Sequence, residues 1–201
     1  QFQAASSLPT CWPGLDRKPV LLHVLHGWGG GVERFARDLA DGDDARWHLA
    51  LFARGEHARS RCGESLELAL LYQDQAWTLA RFELAAPIAT CAIESAEWRA
   101  VFALIRDRFG VSSLIVSSLI GHALDALATG LPTEYVCHDY FPLWPVLHAD
   151  FGDSAQRFDT DNLTRALAKP RNAELPFAER SSAFWTSLRS AFIAAALTNG
   201  T

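Results

Sequence analysis

One stretch, Val20 to Ala40 (VLLHVLHGWGGGVERFARDLA), narrows the choice of fold more than any other part of the chain. Val20, Leu21, Leu22, Val24 and Leu25 form a short apolar run, the pattern of a strand buried on both faces of a parallel sheet. Gly27, Gly29, Gly30 and Gly31 follow and allow a tight turn and a close backbone approach. Val32, Phe35, Ala36, Leu39 and Ala40 then recur at helical spacing, with Glu33, Arg34, Arg37 and Asp38 on the opposite face. A glycine turn opening into a helix leaves several backbone N–H groups unpaired at the helix start, an arrangement that attracts phosphate.

The plainest reading of these glycines is a strand-to-helix turn and nothing more. Two sharper readings compete with it. Gly27-Trp28-Gly29 matches the start of the dinucleotide fingerprint G-x-G-x-x-G, but Val32 occupies the third glycine position. His26-Gly27-Trp28-Gly29-Gly30 resembles the His-Gly oxyanion loop of α/β-hydrolases, and Gly121-His122-Ala123-Leu124 resembles their nucleophile elbow. Ala123 stands where the nucleophile belongs, however, Asp125 replaces the second glycine, and the last histidine is His148. An active serine hydrolase does not follow from this pattern. A hydrolase-like domain that has lost its nucleophile and only binds remains an alternative.

The remaining chain alternates. Trp47 to Ala53 reads as a second strand, and Ser65 to Tyr72 and Trp77 to Leu84 as two more. Trp98, Val101, Phe102, Ile105 and Phe109 mark a helix stopped by Gly110. Ser113 to Ser117 is a buried strand, Gly121 to Thr129 a short helix with Leu124, Leu127 and Ala128 inward, and Thr133 to Cys137 a further strand. A short helix is expected near Leu163 to Ala168. A final helix has Phe177, Phe184, Trp185, Leu188, Phe192 and Ile193 on one face and Asn199-Gly200 as its stop. Core packing is the usual fate of such a face; a peripheral membrane contact is the other reading. Strands alternating with helices imply an α/β fold, a parallel sheet with helices on both faces. Ligands of such sheets sit beyond the strand C-terminal ends, where the glycine turn and His138-Asp139 both fall.

Composition excludes several classes. With 201 residues, 49% of them hydrophobic, one globular domain is expected. A net charge of −5 argues against a general nucleic-acid binder. Cys11, Cys62, Cys91 and Cys137 form no CxxC pair, and no HExxH occurs. Reduced thiols in a cytoplasmic protein, with no metal site, are therefore expected, and the acidic loop Asp41 to Asp44 reads as a solvated turn. Gln1 to Pro19 lacks periodicity and reads as a linker or arm, without the apolar segment of a signal peptide. The absence of methionine points to a piece of a longer protein.

Two separated stretches then carry a resemblance. A strand followed by Gly30-Gly31-Val32-Glu33-Arg34 and a helix resembles the opening of the family 4 retaining glycosyltransferases. Ser118-Leu119-Ile120-Gly121-His122, then Gly130-Leu131-Pro132, then a strand running into His138-Asp139-Tyr140-Phe141-Pro142-Leu143-Trp144-Pro145, resembles the same family. Its bacterial polysaccharide-assembly members often carry an HDY segment ending near Cys-Pro; here Trp144 replaces the cysteine.

The resemblance covers about Val20 to Pro145 and implies two Rossmann-like domains facing a cleft. Residues 20–201 would form the N-terminal, acceptor-side domain. The donor-binding domain, with its paired glutamates, has no counterpart here, so this chain alone is expected to be inactive. The family implies a nucleotide-sugar donor, a glycan or lipid-linked acceptor, no separate cofactor, and the missing domain of the same parent chain as partner. His138 and Asp139 would be catalytic, His138 touching the donor sugar and Asp139 orienting it. Gly29, Gly30, Gly31, Glu33, His122 and Tyr140 would contact substrate. The acceptor hydroxyl attacks from the leaving-group face, so catalysis is mainly positioning and charge stabilisation.

Overall fold

The computed structural model describes residues 18–55, 63–145, 159–169 and 181–198. Strand β1 (Val20–His26) is buried along its whole length. Its even-numbered residues Val20, Leu22 and Val24 enter one apolar cluster. Leu25 enters a second cluster together with Ala50, Phe52, Ala69 and Leu71. This is why the run shows no polar alternation: both of its faces are covered.

The fold is α/β, with a six-stranded mixed sheet in the order β4-β3-β2-β1-β5-β6. β1 pairs in parallel with β2 (Trp47–Arg54) and with β5 (Val111–Val116), and β5 with β6 (Thr133–Tyr135). β3 (Ser65–Tyr72) runs antiparallel to both β2 and β4 (Gln75–Glu83). The expectation of a wholly parallel sheet is therefore corrected. Gln73 and Asp74 alone separate β3 from β4, with φ of 53° and 54°. Two left-handed residues in a two-residue loop make a hairpin turn, whereas a parallel return needs a dozen residues or more.

Helix α1 (Gly31–Asp41) lays Val32 and Ala36 on the Leu25–Phe52 face. Helix α2 (Ala96–Phe109) places Trp98, Val101, Phe102 and Ile105 on the other. Ser95 Oγ accepts the Trp98 N–H at its start, and Gly110, with φ 67°, closes its end. Helices on opposite faces follow from right-handed connections that leave β1 in opposite directions. The chain goes to β2 on one side and returns to β5 on the other. The neighbouring ends of β1 and β5 are therefore the topological switch point, where open α/β sheets have their ligand crevice.

Between β5 and β6 the expected Gly121–Thr129 helix shrinks to a 3-10 turn, Leu124–Leu127, and Ala128 is exposed. The backbone there is already engaged: Ala92 N–H donates to His122 O, and Leu124 N–H to Ala92 O, both at 2.9 Å. Helix α3 (Thr160–Ala168) packs on α4 (Ser182–Thr198), whose Trp185, Leu188 and Phe192 are buried. Phe192 meets Tyr135 at 5.0 Å between ring centroids and Trp185 meets Phe141 at 6.0 Å. The large apolar face of α4 thus enters the core. The Gln1–Pro19 arm up to residue 17, Cys11, Cys62, Phe177, His148 and Asn199-Gly200 lie outside the described residues.

Under the α1 side of the sheet lies a polar chain. His23 Nε2 is 2.9 Å from His48 Nδ1, and His48 Nε2 is 3.1 Å from Asp43 Oδ2. Asp43 is no merely solvated turn residue. Partial burial raises its pKa, but hydrogen bonds from Arg46, the Ala45 N–H and His48 outweigh this and draw it down to about 2. Burial, then the charges of His48 and Arg46, hold His23 down to about 3.

Candidate functional site

The crevice is built from three strand ends. β1 delivers His26 and the turn Gly27–Gly30. Gly27 N–H donates to Ala53 O, and Gly27 O accepts from Arg54 Nη1, both at 2.9 Å. A Cβ on Gly27 would lie 2.6 Å from Arg54 Cδ and Nη1, so the arginine excludes any side chain there. Gly29 and Gly30 have φ of 74° and 79°, which L residues rarely adopt.

Gly31 is different. It has no positive φ, and a Cβ there would meet nothing within 4 Å. Nothing internal among the described residues calls for a glycine at that position. Its missing side chain leaves open ground at the first residue of α1.

Glu33 lies in the first turn of α1, paired with Arg37 Nη2 at 2.5 Å. The carboxylate sits at the positive end of the helix dipole and offsets it. Arg34 pairs with Asp38, and Arg37 also reaches Asp74 O. Arg54 is divided between Gly27 O and Glu67 Oε1 and lies over the Phe52 ring at 4.5 Å. Among the described residues, the three arginines around the turn are all engaged.

β6 brings the second stretch. His138 is exposed, and its ring meets the ring of Phe35 on α1 edge-on, 5.1 Å between centroids. The two stretches separated by a hundred residues of chain therefore share one rim. Asp139 is half-buried and its Oδ1 accepts the Phe141 N–H at 2.8 Å, making a local turn. Burial pushes its carboxyl pKa up, against that hydrogen bond and the charge of His138. Tyr140 is 47% exposed, whereas Phe141 and Trp144 are core residues. Tyr135 Oη donates to Phe141 O at 2.8 Å and ties the segment to β6.

His122, expected to contact substrate, is placed elsewhere. It is fully buried; Nε2 donates to Leu25 O at 3.0 Å, and Nδ1 accepts from Trp98 Nε1–H at 3.2 Å. Burial lowers its pKa to about 4 against the hydrogen bond to Leu25. Both nitrogens are used and neither faces the crevice, so the expected substrate contact gives way to a core tie. Nor does Ala123 occupy a sharp elbow: it is buried and extended, at φ −110° and ψ 154°.

Sequence reasoning passed over His26 as a site residue. It is 7% exposed, and its Nδ1 accepts the Trp28 N–H at 3.3 Å. Its ring lies against the Trp28 indole, 4.8 Å between centroids. Burial lowers its pKa to about 4, Glu33 opposes the shift, and His138 adds to it. His26 thus stands within electrostatic reach of both halves of the rim. Its position at the strand end, directly before the glycines, was the available signal. Arg54, one residue past the Trp47 to Ala53 strand, was equally missed; no local pattern indicates which strand end will face Gly27.

Among the described residues no group of three His, Cys, Asp or Glu side chains could hold a metal ion. Cys91 is buried and Cys137 exposed. No helix among the described residues is long and apolar enough to cross a membrane. Compared with protein-family models, curated proteins and solved structures, the chain matches none.

Proposed function

We propose that this chain is the acceptor-side, Rossmann-like domain of a retaining glycosyltransferase that moves a sugar from a nucleotide-sugar donor to a glycan or lipid-linked acceptor. The observation that carries the reading is the meeting of the glycine turn and His138 on one rim, at the crevice where the chain leaves β1 in opposite directions. In this reading the donor sugar enters between Gly31 and His138. The open backbone at Gly31 permits close approach. His138 hydrogen-bonds the sugar, Glu33 accepts from a hydroxyl, and exposed Tyr140 offers a ring for stacking. Asp139, occupied by the Phe141 N–H, shapes the loop that presents His138. A second domain of the same parent chain supplies the nucleotide site, and the reaction belongs to the cytoplasm, where a lipid-linked acceptor is met at the membrane surface.

The test uses the full-length parent protein and a panel of nucleotide sugars. Transfer or donor hydrolysis is expected in the wild type and is reduced about 100-fold in His138→Ala with the fold intact, the scale of losing one stabilising donor. A folded parent that neither binds nor turns over any nucleotide sugar refutes the reading.

A further inference from the structure

We infer that His26 is a ligand-binding residue of the crevice, a neutral imidazole whose Nε2–H donates to an uncharged oxygen of the ligand, a sugar hydroxyl. Geometry bears on the tautomer. Nδ1 accepts the Trp28 backbone N–H at 3.3 Å, which favours the ring proton on Nε2 over the competing arrangement in which the ring donates to the carbonyl of His26 itself. Among the described residues nothing accepts that Nε2–H. Nε2 is not one of the buried polar atoms left without a partner, so it is open to solvent at the strand end, where a ligand oxygen can take the place of water. The Trp28 indole against the ring holds its plane, so the donor direction is set before a ligand arrives.

The surroundings select the class of ligand. A start of helix beside a glycine turn ordinarily favours an anion. Here Glu33 already places a carboxylate in that first turn, and Arg34, Arg37 and Arg54 are each committed to partners within the protein. Among the described residues, an incoming phosphate would meet Glu33 with no uncommitted arginine at the turn to balance it. A hydroxyl suits the same groups better, since it accepts from His26 Nε2–H and donates to the Glu33 carboxylate. Naming the ligand a sugar rests on the glycosyltransferase reading; the neutral donor and the bias against anions rest on the geometry.

The experiment uses the full-length parent with ¹⁵N-labelled histidine. Long-range ¹H–¹⁵N spectra report the tautomer, and titrations use methyl glucoside, methyl mannoside, methyl galactoside and inorganic pyrophosphate as probes. His26 is expected to show the Nε2–H tautomer and to remain neutral at pH 5.5. At least one glycoside should shift its ring signals, and pyrophosphate should not. His26→Phe should weaken glycoside binding about tenfold, the worth of one hydrogen bond, and His26→Gln, which keeps an N–H donor, should recover part of it. An Nδ1–H tautomer, a response to pyrophosphate but to no glycoside, or unchanged affinity in a folded His26→Phe protein overturns the inference. The two readings separate cleanly. A parent that binds glycosides through His26 but transfers from no nucleotide sugar loses the transferase function alone. A parent that transfers sugar equally well with Phe at position 26 loses the role of His26 alone.

Discussion

His26 and His122 lie close together at the end of β1, and they differ in one respect that decides their use. Both are buried, and burial holds both neutral down to about pH 4. His122 spends both nitrogens inside the protein, on Leu25 O and Trp98 Nε1–H. His26 spends one, on the Trp28 N–H, and sits where the rim opens. The chain of Asp43, His48 and His23 adds a third case. His23 Nδ1 has no partner among the described residues, yet it is sealed within the sheet and meets no ligand. A depressed pKa thus marks burial, and an unused nitrogen marks a site only where something can reach it.

Acid is the bluntest way to break this comparison. His23, His26 and His122 each take up a proton near pH 6.5 when unfolded, but resist it when folded down to about 3, 4 and 4. Below pH 6.5 the unfolded state therefore binds more protons, and stability falls as pH falls. At pH 5 each contributes a loss on the order of 2 kcal/mol relative to neutral pH by linkage. Urea midpoints at pH 7 and pH 5 measure the sum, and His26→Phe should remove one share of the pH dependence.

Substitution separates the two histidines directly. His122→Ala leaves the Trp98 Nε1–H and Leu25 O without partners around a cavity and should cost about 3–5 kcal/mol. His26→Ala, at the rim, should cost about 1 kcal/mol. Equal losses in denaturant unfolding would show that His26 is as structural as His122.

The glycines sharpen the same contrast at smaller scale. Gly27→Ala forces Arg54 aside and should cost about 2 kcal/mol, with thermal unfolding as the readout. Gly31→Ala meets no atom and occupies a helical position, so it should stabilise by up to about 1 kcal/mol while weakening donor binding. A Gly31→Ala protein that binds nucleotide sugars unchanged would show that nothing approaches that backbone closely.

Much of the frame was legible in the chain. The apolar run of β1, the apolar stripe of α1 and the Gly110 stop of α2 are local patterns, and each appears where the pattern puts it. The sheet direction was misjudged because apolar strands look alike in either orientation. The two-residue loop Gln73-Asp74 held the missing information. The short helix after Gly121 failed because its backbone groups are claimed by residues near Ala92, a long-range competition that periodicity does not register.

By itself the sequence determined most of the strands and helices and placed the glycine turn at a strand end and His138 shortly past another, because these depend on neighbours a few residues apart. Tertiary structure alone decided which histidine was spent in the core, which kept a nitrogen for the crevice, and that Arg54 would exclude a side chain at Gly27. Those outcomes are contacts between residues tens of positions apart, and a hydrogen-bond partner that far away leaves no trace in local spacing.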